Sequence, residues 1–545
     1  MTACDPIGRG GGSGGDGGAG GESSSTGSGG SAGDGGSGGA TSSTGSGGSG
    51  GESSSIGSGG SGGATSSTGS GGSAGDGGSG GEASSTGSGG SPGTCVPGSI
   101  VACYSGPDGT RNVGRCAAGT QTCRSDGFGY GPCTGEVTPA TEVCATPEDE
   151  SCDGDAHCPQ PAAWARGFGG PGADAGLSIA SDATGNYYVT GSFKGTVNFG
   201  AGPLTSAGEN DIFLLKLDPS GALLWSKRFG TPFEEVGSAV TVDGNGDVLL
   251  AGRYESDWML TTTGLDFGGC SMPGPADWNA MFVAKLDPDG GHIWSKRFNS
   301  SSSGSYDAYV YVYRIAADAL GNAYIAYEDS EGTEIRKLDS AGNALWTRAM
   351  PGYPGSDISL ALDNAGNVVT VSSGYLGDFI NNGLYISKFS PSGDLLWRYQ
   401  SPGDTWNWFA RSVAVTSANE IFATVINYDT FSPILIKLNA DGVHVFNRSV
   451  PGTKIAVDSA DNLLVVASGL AMLDAEGTEL WSVDFAAGAS DIAIAPSGAV
   501  ALTGSVSGAV DFGTGPIAYA GGSDIYVATF NPPSSGGGGA GGSGG

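Results

Sequence analysis

Between residues 161 and 533, apolar side chains occur in short runs that are rich in β-branched and aromatic residues. Asp, Asn, Ser, Pro and Gly bound these runs, as in "SIASDATGNYYVTG" (178–191) and "DIFLLKLDPSG" (211–221). Short runs closed by turn-forming residues predict β-strands joined into hairpins. A sustained 3.6-residue period, which would predict amphipathic helices, does not occur in this region. The pattern therefore predicts an all-β fold.

The strand pattern recurs seven times, and each copy carries three signatures. An aromatic residue marks one strand, a strand–turn–strand segment follows, and a further strand ends in a turn such as "LDPSG". "LLKLDPSGALLWSKRFG" (214–230) and "VAKLDPDGGHIWSKRFN" (283–299) show how closely two copies agree. The marking residues are Trp164, Trp225, Trp294, Trp346, Trp397, Phe446 and Trp481. Internal repetition of this kind predicts an architecture built from stacked, similar units.

Four short strands in each of seven repeats predict a seven-bladed β-propeller over residues 161–533. "LDPSG" would then join the third strand of a blade to its outermost strand, because Pro pre-sets φ, Gly supplies a positive φ and Asp bonds to nearby amides. The tryptophan ring would pack one blade on the next. We expect the strand around Trp164 to complete the blade formed by residues 491–530, which would close the ring and remove exposed sheet edges.

Several segments resemble the seven-bladed β-propeller repeat family that is common in bacterial exported proteins. The matching text is "GNYYVTGSF", "NDIFLLKLDPSGALLW", and the pair "GTVNFGAGP" and "GAVDFGTGP". The resemblance spans residues 164–531 and is thinner in the fifth and sixth repeats. It implies the propeller fold and export, while the family has no single shared activity.

The two ends of the chain differ from the repeats in composition. Residues 1–93 are nearly all Gly, Ser, Ala and Thr, and residues 534–545 are of the same kind; the whole chain contains 105 glycines. With almost no large apolar side chains to bury, such a segment cannot offset the entropy cost of ordering. We expect a disordered Gly/Ser tether before the folded region and a disordered tail after it.

The chain is strongly acidic, with 23 basic residues against 55 acidic ones and a net charge of −32. This balance argues against nucleic-acid binding, which needs a basic surface along the phosphate backbone. An anionic membrane surface would repel the chain for the same reason. The charge favours either a solubility role or an attraction for cations.

The chain begins with "MTAC", in which Ala3 precedes Cys4 directly before the tether. This order resembles the last residues of a bacterial lipoprotein cleavage box, whose hydrophobic segment would lie upstream of the given start. The resemblance implies that Cys4 is lipidated and that the tether holds the folded part away from a membrane. The alternative is a cytosolic start with an incidental cysteine.

Eight of the ten cysteines lie within residues 94–160, in a stretch with few apolar residues. An even number of cysteines without a CxxC pair favours a disulfide framework over a zinc site. Four bridges allow 105 connectivities, and the sequence does not select one. Disulfides would place the protein in an oxidising compartment. The cysteines are Cys95, Cys103, Cys116, Cys123, Cys133, Cys144, Cys152 and Cys158.

The segments "CYSG", "GTQTC" and "EDESCDGD" resemble a cysteine-rich module of myxobacterial surface proteins, which implies a location rather than a chemistry. The acidic end of this module could form a weak Ca²⁺ site through Asp149, Asp153 and Asp155, assisted by Glu148 and Glu150. The alternative is a solvated acidic linker, because the stretch lacks the alternation and closing Glu of an EF-hand loop. No other cofactor is expected.

Little in the repeats points to catalysis. His157, His292 and His444 are the only histidines, and the repeats contain no GxSxG elbow, phosphate loop or HExxH motif. "VDGNGD" (242–247) has a calcium-like spacing but occupies a hairpin slot, so we interpret it as a turn. "LDAEGTELW" resembles repeats of quinone-dependent dehydrogenases, yet those propellers have eight blades and adjacent cysteines. Here there are seven repeats, and Cys270 is their only cysteine.

A binding role therefore ranks above an enzymatic one, since propeller loops around a central channel offer a platform for a partner. Four tryptophans outside the blade-marking positions could stack on sugar rings, although packing is the alternative for each: Trp258, Trp278, Trp406 and Trp408. We expect a monomeric, non-catalytic scaffold for a protein or glycan, extracellular or on the outer surface of a Gram-negative bacterium. The alternative function is an exported hydrolase or quinone-dependent oxidoreductase with an unrecognised site in the channel.

Overall fold

The computed structural model describes most of the cysteine-rich and repeat regions. It covers residues 94–140, 149, 152, 161–256, 264–269, 271–275, 279–299, 309–330, 332–351, 358–375, 382–402, 408–427 and 429–532. Throughout these residues the regular elements are β-strands, which confirms the predicted all-β class. No helix in the described part of the chain is long and apolar enough to span a membrane. The predicted tether, the tail and Cys4 lie outside the described residues.

The cysteine-rich region contains one small sheet, formed by β1 (Ile100–Cys103) and β2 (Gly119–Thr122). Its disulfides join Cys95 to Cys123, Cys103 to Cys133 and Cys116 to Cys152. Among its described residues, half-cystines form the buried apolar positions, whereas four larger apolar residues are exposed: Val96, Ile100, Phe128 and Val137. Cross-links thus replace a hydrophobic core in this small region. Cys144 and Cys158 lie outside the described residues.

Seven sheets of four antiparallel strands make up the repeat region, in agreement with the predicted seven-bladed propeller. Blades 1 and 2 contain β4 (Ala175–Ser181), β5 (Tyr187–Asn198), β6 (Pro203–Leu217), β7 (Leu223–Phe229), β8 (Glu235–Val242), β9 (Val248–Glu255), β12 (Asn279–Leu286) and β13 (His292–Asn299). An extra hairpin, β10 (Leu265–Asp266) with β11 (Ser271–Met272), lies in the insertion of blade 2.

The remaining blades keep the same order, in which each strand pairs with the next one along the chain. Blades 3 and 4 contain β14 (Val310–Ala317), β15 (Ala323–Asp329), β16 (Gly332–Leu338), β17 (Ala344–Ala349), β18 (Ile358–Leu362), β19 (Val368–Tyr375), β20 (Asn382–Phe389) and β21 (Leu395–Gln400). Blades 5 and 6 contain β22 (Trp408–Val415), β23 (Ile421–Asn427), β24 (Ser432–Leu438), β25 (His444–Ser449), β26 (Lys454–Val457), β27 (Leu463–Val466), β28 (Gly469–Leu473) and β29 (Glu479–Asp484).

Blade 7 joins the two ends of the repeat region. It consists of β30 (Ala489–Ile494), β31 (Val500–Val506) and β32 (Asp524–Phe530), with β3 (Trp164–Phe168) as its outermost strand. In this pairing Trp164 lies opposite Thr529 and Phe168 opposite Ile525. The prediction that the Trp164 strand closes the ring is therefore confirmed.

Seven clusters of buried side chains fill the spaces between adjacent blades. One of them, for example, combines Leu214 of blade 1 with Leu250 of blade 2. Burial of apolar area on this scale contributes roughly 25 cal/mol per Å². Each blade therefore buries its faces only against its neighbours, which explains why the chain repeats one pattern.

Four tryptophans of outermost strands also hydrogen-bond to the next blade: Trp164, Trp225, Trp294 and Trp346. Nε1 of Trp225 donates to the Pro288 carbonyl (3.2 Å), and Lys216 Nζ donates to the same oxygen (2.9 Å). Trp346 and Lys337 of blade 3 repeat this arrangement on the Pro391 carbonyl of blade 4. The "LDPSG" turn is thus both a hairpin turn and the acceptor for the preceding blade.

The acidic hairpin "VDGNGD" forms the predicted turn, closed by a bond from the Asp243 amide to the Asp247 carbonyl (2.9 Å). Lys285 Nζ lies 2.7 Å from Asp243 Oδ2 and 3.1 Å from Asp247 Oδ2. A buried lysine therefore occupies the position that a cation would take between these carboxylates.

Candidate functional site: the central channel

The first strand of each blade faces a central channel. In five of the described blades, the pairing of this strand with the second one shifts by one residue, which marks a β-bulge. A bulge leaves one residue unpaired and re-aims its side chain. The five bulged residues all line the channel cavity: Leu177, Ser238, Tyr313, Arg411 and Ser490.

The channel holds a cavity of about 80 Å³ to which all seven blades contribute. Its lining is mainly polar. The serines are Ser178, Ser238, Ser359, Ser412 and Ser490, and the charged residues are Arg314, Arg411, Lys454 and Asp491. Because these side chains project from paired strands, the propeller holds them in fixed positions, as a binding site requires.

Arg314 of blade 3 and Asp491 of blade 7 form an ion pair across the channel. The Arg314 Nη1 atom lies 2.5 Å from Asp491 Oδ1, and Asp491 is 3% exposed. Asp491 Oδ2 accepts bonds from the Ser178 hydroxyl (2.8 Å) and the Ile179 amide (3.1 Å). The Ser178 oxygen accepts a further bond from the Val240 amide (3.2 Å). Asp491 of blade 7 therefore contacts blades 1 and 3 directly, and Ser178 extends the network to blade 2.

The described residues that line the cavity carry three positive charges and one negative charge. Arg411 and Lys454, on neighbouring blades 5 and 6, are half-buried, and the Ile455 amide donates to the Ser412 hydroxyl between their strands (3.4 Å). The whole chain, by contrast, has a net charge of −32. Among the described lining residues, positive charges therefore outnumber negative ones, in contrast to the chain as a whole.

Three tyrosines lie at the start of the first strand of blade 3. The hydroxyls of Tyr309 and Tyr313 donate to the two oxygens of the fully buried Glu328, at 3.2 and 2.8 Å. Burial and the nearby Glu328 carboxylate raise the pKa of Tyr309 to about 12. The Tyr311 ring packs 5.6 Å from that of Tyr309 and is 48% exposed. The Tyr311 ring is therefore exposed to solvent on one side and packed against Tyr309 on the other. It lies three positions before Arg314 in the strand.

Of the four tryptophans predicted to bind a ligand, Trp408 lies within the described residues. It begins β22, pairs with Asn427 and is half-buried against the core between blades 4 and 5. Packing thus accounts for part of its ring. Trp258, Trp278 and Trp406 lie outside the described residues, and their ligand role stays a prediction.

The predicted calcium ligands are described only at Asp149. Its Oδ1 accepts the Cys152 amide (2.5 Å), and its backbone carbonyl accepts the Arg115 amide (2.9 Å). Within the described ranges, no group of three or more His, Cys, Asp or Glu side chains could hold a metal ion. Asp153 and Asp155 lie outside those ranges.

Both described histidines lie on outermost strands, away from the channel. His292 Nε2 is 3.1 Å from the Ser295 hydroxyl, and His444 Nε2 is 2.8 Å from Asn447 Oδ1. The His444 ring also stacks on Tyr399 of the neighbouring blade. Burial lowers the pKa of His292. The contacts of both residues are therefore structural ones on outermost strands.

The charged channel residues are not among the site residues predicted from the sequence. A signal was present, because the first strand of a repeat is otherwise apolar or small. A charged residue interrupts it in "YRIAAD" (Arg314), "ARSVAVT" (Arg411), "TKIAVD" (Lys454) and "SDIAIA" (Asp491). When the repeats are aligned on the turn that follows the first strand, these charged residues fall at two adjacent positions of the strand. This alignment would have indicated that they share one face at the channel.

No protein-family model matches the chain. Among curated proteins, it is similar to an uncharacterized WD repeat-containing protein of Acanthamoeba polyphaga mimivirus, with 23% identity over 262 residues. The match covers 42% of this chain and 18% of the viral protein, so the chain spans less than a fifth of that relative's length. The resemblances to the bacterial exported repeat family and to the myxobacterial module stay predictions.

Solved structures that are similar to the chain include BamB from Moraxella catarrhalis and Sqt1 from Chaetomium thermophilum. BamB is 11% identical with a TM-score of 0.35, over 66% of this chain and 84% of that one. Sqt1 is 11% identical with a TM-score of 0.40, over 69% and 99%. A virginiamycin B lyase from Staphylococcus aureus is 11% identical with a TM-score of 0.34, over 55% and 99%. The seven-bladed fold of this chain rests on its own strand pairing, and these similarities assign no activity.

Proposed function

We propose that the protein is an exported, non-catalytic binding scaffold whose propeller presents its channel and the surrounding face to a protein or glycan. The observation that carries this proposal is the channel lining, a set of polar side chains supplied by the bulged first strands of the propeller. Small-molecule sites usually measure roughly 300 Å³ or more. A cavity of about 80 Å³ suits one chemical group of a larger partner that rests on the face outside.

Export is supported by the three disulfides among the described residues of the cysteine-rich region, which indicate an oxidising compartment. The finer location is part of the proposal. Residues 1–93 would act as a tether, and lipidation of Cys4 would attach it to the outer membrane surface of a Gram-negative cell. A Gly/Ser chain of this length would let the propeller reach partners well beyond the surface.

A non-catalytic role is supported by the contacts of the titratable groups that are described in the channel. Asp491 is engaged by Arg314, Ser178 and a backbone amide, so it is not available as a general base. The described histidines lie at the rim. The described channel residues thus supply polar contacts, and Asp491 is already occupied by its own partners. This arrangement fits the recognition of a partner better than the cleavage of a bond.

The test uses the full oxidised chain on glycan arrays and on arrays of exported proteins. We expect one ligand class to bind, and Tyr311→Ala to weaken binding at least fivefold because Tyr311 is exposed on the first strand of blade 3. Leu224→Ala, at a similarly exposed site on an outermost strand, is the matched control and should bind normally. Release of a cleaved or oxidised product from a bound ligand would overturn the non-catalytic proposal.

A further inference from the structure

We propose that a cleft between blades 3 and 4 binds a neutral sugar ring. The cleft lies between the hairpin turns that begin at Asp318 and Asp363, and Lys337 and Pro391 complete its lining. These turns follow the first strands, so the cleft opens on the face opposite the one that carries Tyr311. Its volume is about 420 Å³, within the usual range of roughly 300–1,000 Å³ for ligand sites. The site is separate from the channel and goes beyond the proposed function.

The cleft occurs where a bridge between neighbouring turns is absent. Asn364 Nδ2 of blade 4 donates to the Ser417 carbonyl of blade 5 (2.7 Å), and the Ser417 amide donates to Asp461 Oδ1 of blade 6 (2.7 Å). Blade 3 has Ala319 at the turn position of Asn364 and Ser417. A methyl group cannot form such a bond, so the turns of blades 3 and 4 leave a space between them.

Leu320 gives this space an apolar wall. It is 77% exposed at the tip of the blade 3 turn. Leu362 and Pro391 line the cleft with it. A large apolar side chain is not needed for the turn itself, because the same position in the other six blades holds small or polar residues: Thr184, Asn245, Ala365, Ala418, Ala460 and Ser497. Leu320 is therefore available to contact a ligand.

Lys337 lines the cleft with donor capacity that its neighbours do not use. It is 6% exposed, its Nζ atom donates to the Pro391 carbonyl (3.1 Å), and Asp318 Oδ2 lies 3.8 Å away. The equivalent Lys388 of blade 4 lies much closer to its carboxylate, 2.8 Å from Asp363. Burial lowers the pKa of Lys337, and Asp318 offsets this effect only in part. Because an ammonium group has three N–H donors, a ligand oxygen can accept a bond from Lys337.

Two side-chain amides supply acceptors. Asn322 Nδ2 donates to Asp318 Oδ2 (2.8 Å), and Asn364 Nδ2 donates to the Ser417 carbonyl (2.7 Å). These bonds fix both amides, and no described residue donates to the Oδ1 atom of either one. Asp318 Oδ1, by contrast, already accepts two backbone amides of its own turn. The cleft thus offers amide acceptors together with the Lys337 donor.

This combination selects the class of ligand. A purely apolar molecule would remove water from Lys337 and the amide oxygens without replacing its hydrogen bonds, which is unfavourable. An anion would meet the Asp318 and Asp363 carboxylates in a chain of net charge −32. A neutral sugar has hydroxyls that donate and accept, and C–H groups that can contact Leu320. About 420 Å³ equals roughly fourteen waters at about 30 Å³ each, enough for a pyranose ring.

The test is saturation-transfer difference NMR on the full oxidised chain, with the methyl glycosides of glucose, galactose, mannose and N-acetylglucosamine as separate probes. We expect saturable binding of at least one glycoside. Leu320→Ala should weaken it roughly fivefold through the lost apolar contact, and the turn should tolerate alanine because three other blades have it there. Leu345→Ala, at an exposed site on the outermost strand of blade 3, is the control. Absence of saturable binding by all four probes would overturn the inference.

Lys337→Met tests the donor and introduces the residue that blade 6 has at this position, Met472. We expect the affinity to fall roughly tenfold. Lys216→Met is the matched control in blade 1, because Lys216 also donates to a turn carbonyl of the next blade and lies over a tyrosine ring. Equal losses in the two lysine variants would overturn the inference. If Lys337→Met loses its native circular dichroism spectrum, the Leu320→Ala result decides.

Two further comparisons define the site. Cyclohexanol has a ring of similar size with a single hydroxyl, and it should bind at least roughly tenfold more weakly than the sugar; equal affinity would show an apolar pocket and overturn sugar recognition. Tyr311→Ala should leave glycoside binding unchanged, because Tyr311 lies on the opposite face. Binding that is lost in Tyr311→Ala and kept in Leu320→Ala would support the channel face and overturn the cleft.

Discussion

The indole of Trp164 lies directly on Gly221, across the seam where the two ends of the propeller meet. A Cβ atom built on Gly221 would come within 2.6 Å of the ring, and Trp164 Nε1 donates to the Pro219 carbonyl of the same turn (2.9 Å). Trp164 belongs to blade 7 and the turn to blade 1, so this contact holds the closing strand against the first blade. Ring closure itself comes from the pairing of the Trp164 strand with the strand that ends at Phe530.

Gly221→Ala should destabilise the propeller by about 2–4 kcal/mol. Its φ of 78° is unfavourable for alanine, and the methyl group would clash with the Trp164 ring. Gly498 is the matched control, because its φ is 86° in the same kind of turn but no atom lies within 4 Å of its added Cβ. Gly498→Ala should therefore cost only about 1 kcal/mol. Equal losses in chemical denaturation would show that the tryptophan contact does not matter.

The tryptophan of blade 6 differs from the others in its hydrogen bonding. Trp481 is 2% exposed, and its Nε1 atom has no partner among the described residues. The reason is topological: blade 7 takes its outermost strand from β3, so it lacks the "LDPSG" turn that accepts this bond elsewhere. Trp164→Phe should therefore cost about 1 kcal/mol more than Trp481→Phe. A larger loss for Trp481→Phe in urea unfolding would contradict this account.

Glu235, at the start of β8, should make stability depend on pH. Burial raises the pKa of its carboxyl from 4.5 to about 7, although Thr231 donates two hydrogen bonds to it. The folded chain thus keeps a proton that the unfolded chain loses between pH 4.5 and 7, so the free energy of unfolding contributed by this group falls as pH rises through that window. Above pH 7 the contribution is constant, at a cost of about 3 kcal/mol.

Glu235→Gln copies the protonated carboxyl and should remove this dependence. We expect the variant to gain up to about 3 kcal/mol over the wild type at pH 8 and little at pH 4, measured by urea unfolding at both values. Glu209→Gln, an exposed site on blade 1, serves as the control. An equal effect of Glu235→Gln at pH 4 and pH 8 would rule out titration of Glu235 as the cause.

Reduction should unfold the cysteine-rich region and spare the propeller. The three described disulfides replace a core there, and each contributes about 2–5 kcal/mol, whereas the described propeller residues contain no cysteine. Limited proteolysis with dithiothreitol should cut within residues 94–140 and leave a fragment that starts near Trp164. Early cleavage inside the blades under reduction would contradict this expectation.

The fold could be predicted from the sequence because its rules are local. Turn-forming residues at the positions of Asp218 and Gly221 recur in the first six blades, and the position of Trp164 at one end implied closure with the strand that ends at Phe530. The disulfide pairing could not be predicted, because it depends on which distant cysteines the backbone brings together.

The channel could not be predicted with the same ease. Arg314 and Asp491 are 177 residues apart, and nothing local to either one indicates the other. The bulges that turn Tyr313 and Arg411 toward the channel depend on pairing with the second strand rather than on residue type. The sequence pattern instead predicted that tryptophans bind the ligand. One of them, Trp408, packs partly against the core.

The Arg314–Asp491 pair should show strong energetic coupling. Asp491 is 4% exposed by its side chain and Arg314 is 35% exposed, so loss of the arginine leaves a buried carboxylate short of its charged partner. We expect Arg314→Gln to cost about 2–3 kcal/mol, because breaking one side of a buried pair leaves an uncompensated charge. Adding Asp491→Asn to that variant should recover at least 1 kcal/mol, since the neutral amide can still accept a bond from Ser178 and needs no counter-charge. A double-mutant cycle in guanidinium chloride measures this coupling. Strict additivity of the two substitutions would mean that the two side chains act independently and that the channel is not held together across its width by this contact.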